Sequence, residues 1–312
     1  AEGEDHVYNG AIDNATGVAG VLEIAEAFIV QNPKPARSVV FLMVTLEESG
    51  LLGSKYYAAN PVIPLKDTVA VINLDAMSVV GPTKDLVVIG LGNSELDDVL
   101  RPIAEKQQRT LVEEDGVEKG FFFRSDHFSF AKYGVPALYA KGGIDHVEKG
   151  ADFGRQVQAN YTTALYHKPA DEFDEAWDLR GVVQDLYALY GVGRTLANND
   201  AWPNYVEGNA FKAARDAAMG EDNAFGIRSG FDARGDCVRP TRNRDGRLLR
   251  HGGTVRVVHV PVAFRGTART LSESLLKRGA VIKWQAVVLL GEFEPPGNHG
   301  FEPGGFDLGE IL

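Results

Sequence analysis

Apolar and polar positions along this chain fall into two kinds of run. Residues 38–45 form an almost unbroken apolar stretch rich in β-branched side chains, the pattern of a strand buried on both faces of a sheet. Residues 68–75 repeat that pattern and end in a carboxylate, Asp75. Residues 85–90 and 134–140 predict two further strands. Helical spacing fills the intervals. It predicts a helix over 15–30 with Val18, Leu22, Ala25 and Ile29 on one face, stopped by Asn32-Pro-Lys-Pro35. Short helices follow at 52–59 and after Asp126. A helix over 94–107 turns Leu96, Leu100, Ile103 and Ala104 inward. Asp178 can cap a last one, to about 197, with Leu179, Val183, Leu186, Tyr190 and Leu196 at helical spacing. Residues 141–177 are mostly polar and aperiodic, and a connection of that length predicts function. Strands alternating with helices predict an α/β fold, a doubly wound, mostly parallel sheet with helices on both faces.

Past residue 218 the character changes. Residues 1–219 hold 8 Arg and 11 Lys against 32 acidic residues, whereas 220–312 hold 11 Arg and 2 Lys against 11 acidic ones. Gly and Pro also become denser. Residues 254–260 and 281–290 could be strands, and little else there is periodic. The expectation is a main domain over 1–218 and a poorly defined appendage over 219–312, either small and β-rich, poorly ordered, or out of the parent reading frame.

The 312-residue chain is 44% hydrophobic and 24% charged, the composition of a globular protein. Its net charge of −11 argues against a nucleic-acid partner. No apolar run is long enough to span a membrane. A single cysteine, Cys237, allows neither an intrachain disulfide nor a thiolate-based metal site. Any metal is therefore left to carboxylates and histidines.

Such groups stand where a sheet would gather them. The first strand runs into Glu47 and Glu48, followed by the turn signal Ser49-Gly50. Adjacent side chains at a strand end point in different directions, so one carboxylate can hold a metal while its neighbour faces whatever the metal activates. Asp13 lies in a loop between Gly10 and Gly17, glycines that let backbone approach closely. Asp75 ends the second strand, and His167 lies in the long polar segment. In open α/β sheets, sites form beyond the carboxyl ends of the strands, where these residues should converge. Oxygen and imidazole ligands without thiolate suit Zn²⁺, with Mn²⁺ or Co²⁺ as substitutes. Each residue taken alone has a plainer use, as a solvated turn, a helix cap or a loop histidine.

Five stretches, in this order, resemble family 28 of the metallopeptidases, the co-catalytic zinc aminopeptidases of the bacterial leucyl type. They are Tyr8-Asn-Gly-Ala-Ile-Asp-Asn-Ala-Thr-Gly17, Thr45-Leu-Glu-Glu-Ser-Gly-Leu-Leu-Gly53, Asn73-Leu-Asp75, Arg124-Ser-Asp-His-Phe-Ser-Phe130 and Tyr166-His-Lys-Pro169. The likeness covers roughly residues 5–218 and implies a zinc-exopeptidase-like, three-layer αβα sandwich. It implies that Asp13 bridges two metals, that Glu48 and His167 complete one site, and that Asp75 serves the other. Glu47 would be the general base and acid, and Asp126 a carboxylate that orients ligands. His127 beside it reads as structural. Peptides would be the substrates.

The chain departs from that family in one respect. The family places a further histidine, in an H-x-D motif, about twenty residues before the bridging Asp, and here only twelve residues precede Asp13. The expectation is a chain that begins downstream of the motif, with the two Zn²⁺ of the intact family site weakened in occupancy or reduced to a single metal. The full-length protein would then be secreted or periplasmic, its signal region lying upstream. Three rivals remain: a glutaminyl cyclase-like zinc acyltransferase, a carboxypeptidase, and a peptidase-like domain without catalysis or an inactive fragment.

Overall fold

A computed structural model describes residues 5–222 together with the strands at 255–259 and 284–291; the rest of the expected appendage lies outside the described residues. The described part is an α/β sandwich. Strands β1 (Ser38–Thr45), β2 (Thr68–Leu74), β3 (Asp85–Val88), β4 (Thr110–Glu113), β5 (Ala137–Gly142), β6 (Val255–His259) and β7 (Trp284–Gly291) form one sheet in the order β4-β3-β5-β2-β7-β1-β6. The sheet is mixed. β1 runs parallel to β6, β2 to β5 and β3 to β4, while β7 lies antiparallel between β1 and β2. Both strand-like runs of the expected appendage thus supply strands to the sheet.

Helices cover both faces. On one side α1 (Thr16–Val30), α3 (Leu96–Lys106) and α6 (Arg180–Asn198) pack Phe28, Leu100 and Leu189 against Phe41, Ile72 and Leu138. On the other, α2 (Leu52–Ala59) and α4 (His127–Ala131) bring Tyr57 and Phe130 onto Val40, Leu42 and Val71. β1 and β2 are apolar along their whole length because a central strand meets helices above and below.

Two helical faces differ from the sequence expectation. α1 buries Val21, Ile24, Ala25 and Phe28, while Leu22 and Ile29 are exposed. The helix is apolar nearly all round, so periodicity leaves the face open and close packing selects it. A Cβ on Gly17 would stand 2.5 Å from the Leu74 carbonyl oxygen, so this glycine is what allows α1 to touch the end of β2. α6 likewise buries Val182, Asp185, Leu189 and Val192 and leaves Leu179 and Val183 outside. Here a polar group decides. Asp185 must face inward to meet Arg109 at 2.7 Å and to accept the Gly142 N–H.

The segment expected to be irregular, 141–177, contains a helix, α5 (Gly150–Asn160), and a further wide turn at Tyr161–Leu165. α5 lies on the surface, with Gly154 its one buried residue, so it carries no apolar stripe to betray it. A last helix, α7 (Lys212–Asp222), was not legible from spacing. Arg215 anchors it: buried, it donates to the Thr68 and Val69 carbonyls and lies under Trp202.

Candidate metal centre

The carboxyl end of β1 makes a tight turn. Leu46 adopts a left-handed φ of 60°, and the Glu47 carbonyl accepts the N–H groups of Gly50 and Leu51. α2 starts directly afterwards, and Gly53 lies so close to Thr45 that a Cβ would stand 2.2 Å from its carbonyl oxygen. The turn therefore lifts Glu47 and Glu48 off the sheet and holds them there. Burial, followed by the charges of Asp75, Asp126, Glu48 and Asp13, pushes Glu47 up to about 9. A bound cation reverses that local logic.

Asp13, Glu48 and His167 meet beside it. One oxygen or nitrogen from each lies within 4.8 Å of the others. The His167 Nε2 stands 3.2 Å from both Asp13 Oδ2 and Glu48 Oε2. Asp13 is buried, while Glu48 and His167 reach the surface. His167 is held at a φ of 56°, and the Tyr166 ring stacks on it at 3.7 Å. Left-handed backbone at a bulky residue costs energy and tends to collect where function requires it.

Asp75 stands apart from this cluster. β7 separates β1 from β2, so their ends lie two strand spacings apart, roughly 10 Å. The Asp75 carboxylate accepts the Ser125 hydroxyl at 2.7 Å, and Asn73 Nδ2 donates to that same hydroxyl. The next residue, Ala76, also has a left-handed φ, of 49°. Lys141 Nζ spans the carbonyls of Asp75 and Ala76 and the Tyr139 hydroxyl.

Asp126 is fully buried, with the Ser54 hydroxyl beside its carboxylate. Burial, opposed by the Ser54 hydroxyl and reinforced by the charge of Asp75, pushes Asp126 up to about 7. His127 is buried between the rings of Phe122 and Tyr139, which holds it down at about 3, as befits a structural histidine. Tyr161 and Tyr166 flank the cluster. Burial, with Asp13 the next cause, raises both phenols, Tyr166 to about 12.

Sequence reasoning missed the side chains that tie these segments together. Asn14 is one. Its Nδ2 donates to Leu74 O, and its Oδ1 accepts the N–H groups of Gly17 and Ala76, so the Asp13 loop is pinned to the end of β2. Thr16 extends the seam, taking the Met77 N–H and donating to Ile12 O. Nothing in the pattern distinguished Asn14 from an ordinary loop asparagine.

Two carboxylates and an imidazole converging on one point, in a wall of further carboxylates, fit a divalent cation of the zinc type. A cation site with a free carboxylate at its side, on the rim of an α/β sheet, is the equipment of a metal-dependent hydrolase. The sequence model for peptidase family M28 matches residues 3–190, and the chain belongs to that family. A crystal structure of Legionella pneumophila LapA is similar, with a TM-score of 0.42 and 17% identity over 61% of this chain. The matched region spans about half, 49%, of that chain's length.

Proposed function

We propose that this chain carries the active site of a zinc-dependent aminopeptidase, which releases residues from the free N-terminus of peptides. The observation that carries the reading is the meeting of Asp13, Glu48 and His167 with Glu47 as their immediate neighbour. Asp13, Glu48 and His167 would hold a divalent cation, which would supply Lewis acidity and lower the pKa of an attacking water to about 7. Glu47 would take the proton from an attacking water and pass it to the leaving amine. Its position in a carboxylate cluster fits both tasks, because a group that binds a proton well on its own can also release it once a cation is near. Tyr166, stacked on His167, fixes the ring plane from the open side. The acidic excess of the rim favours a substrate with a cationic end, which is why an N-terminal amine fits better than a C-terminal carboxylate.

The test is Glu47→Gln assayed on aminoacyl anilides. Turnover should fall by about 10²–10⁴-fold while metal content stays at the parent value. Unchanged turnover would remove Glu47 from the chemistry.

A second reading, a single-zinc glutaminyl cyclase, is favoured by one observation: the ligands form one three-residue cluster, with Asp75 outside it. A peptide beginning with Gln separates the two. Loss of ammonia with ring closure would select the cyclase, and release of free glutamine the aminopeptidase.

A further inference from the structure

We propose that Asp171 is a positioning residue for the cation site, setting the separation between the loop that carries Asp13 and the loop that carries His167. The proposal rests on the metal-site reading above, and it concerns a side chain that reaches the site only through others.

Asp171 is 1% exposed and lies four residues after His167. Its Oδ1 accepts the Ile12 N–H at 2.8 Å, and its Oδ2 accepts the Asp13 N–H at 3.0 Å. Its main-chain carbonyl takes the Ala11 N–H at 3.1 Å. Three consecutive amides of the Asp13 loop therefore end on a single residue. On the other side, the Asp171 N–H bonds to the carbonyl of Lys168, and the Lys168 N–H to that of Leu165, so the chain from His167 to Asp171 is a tight turn. The result is a closed circuit. It runs from the Asp13 backbone to the Asp171 carboxylate, back through the turn to His167, and across 3.2 Å to the Asp13 side chain.

A carboxylate is required in this role. Two buried N–H groups need two acceptors, and an aspartate offers both without a donor of its own. Charge strengthens each bond relative to a neutral acceptor. An asparagine would turn an NH₂ toward one of the amides and leave that buried amide unpaired. Part of the resulting cost would be met by letting the two loops drift apart, and the interatomic distances of the cluster are what would drift. Since both carboxylate oxygens are committed to backbone amides, Asp171 acts on a cation by placing Asp13 and His167 and not as a ligand.

The experiment is a titration of Co²⁺ into the full chain, followed by calorimetry and by visible absorption. It compares the parent with Asp171→Asn, Asp171→Glu and a remote control, Leu196→Ala, which removes a buried side chain from α6. Asp171→Asn should bind Co²⁺ about 10–100-fold more weakly, with an altered absorption band, as expected when a group that orients ligands is lost. Asp171→Glu keeps the charge but moves it by one methylene, and should fall between Asn and the parent. Leu196→Ala should lower the thermal midpoint and leave Co²⁺ affinity at the parent value. Parent-like affinity in Asp171→Asn would overturn the assignment. If that variant does not fold, parent-like affinity in Asp171→Glu would do the same. Equal weakening by Leu196→Ala would reduce Asp171 to a general stability residue, which also overturns it. A parent chain that takes up no Co²⁺ would instead end the metal-site reading itself, and this proposal with it.

Discussion

The two halves of the rim handle negative charge in opposite ways. On the β1 side, Asp13 and Glu48 face an imidazole at 3.2 Å, the first buried and the second at the surface. On the β2 side, Asp75 is already provided for, with a serine hydroxyl on its carboxylate and Lys141 on its carbonyl. The contrast shows that acidic residues in one pocket need not serve one purpose. The β1 half brings an imidazole up to its carboxylates, whereas the β2 half places a hydroxyl and an ammonium beside Asp75.

The sharpest way to break this contrast is to remove the imidazole. His167→Ala should weaken divalent-metal affinity by more than about 100-fold, exceeding the effect of losing a group that only orients ligands. Equilibrium dialysis against Zn²⁺ measures it, and an affinity within tenfold of the parent would show that the cation lies elsewhere.

The next effect is on stability without metal. Glu47 is raised from 4.5 to about 9, so the folded state holds a proton that the unfolded state gives up in that range. Its contribution is fully present below about 4.5 and lost as pH rises toward 9. Asp126, raised to about 7, acts in the same direction. His127, held near 3, acts oppositely: it costs stability as pH falls below its ordinary value of 6.5. Urea denaturation in the presence of a chelator should therefore show stability falling from about pH 7 to pH 9, and Glu47→Gln should flatten that slope. Parallel slopes for the two proteins would mean that Glu47 is not the titrating group.

The smallest effect belongs to the β2 half. Ser125→Ala should cost about 1–2 kcal/mol of stability by removing the donor to Asp75, while leaving metal affinity at the β1 cluster nearly unchanged. A metal affinity that dropped as far as in His167→Ala would show the two halves to be a single unit.

Much of this was legible in the chain itself, for reasons of pattern. β1 and β2 announce themselves because strands buried on both faces must be apolar throughout, and Glu47, Glu48 and Asp75 stand where those runs stop. Asp13 and His167 were found by the company they keep in sequence. What escaped was whatever depends on close approach or on bonds to backbone. The buried face of α1 was misassigned by one position because Gly17, not hydrophobicity, chooses it. That of α6 was misassigned because Asp185 had to reach Arg109. α5 carries no apolar stripe, and the binding of Asn14 and Asp171 to main-chain amides leaves no trace in residue spacing. The strands β6 and β7 were noted as candidates, but nothing in their composition said that β7 would part β1 from β2.

The anchoring of α7 bears on where the domain may be cut. The stretch recognisable as a peptidase ends at residue 190, yet a guanidinium from twenty-five residues further on is lodged against the first peptide groups of β2, desolvated enough to sit near 10. Trimming the gene to its recognisable length would uncap those carbonyls and cut α6 short. The unit that folds is therefore longer than the unit that can be recognised.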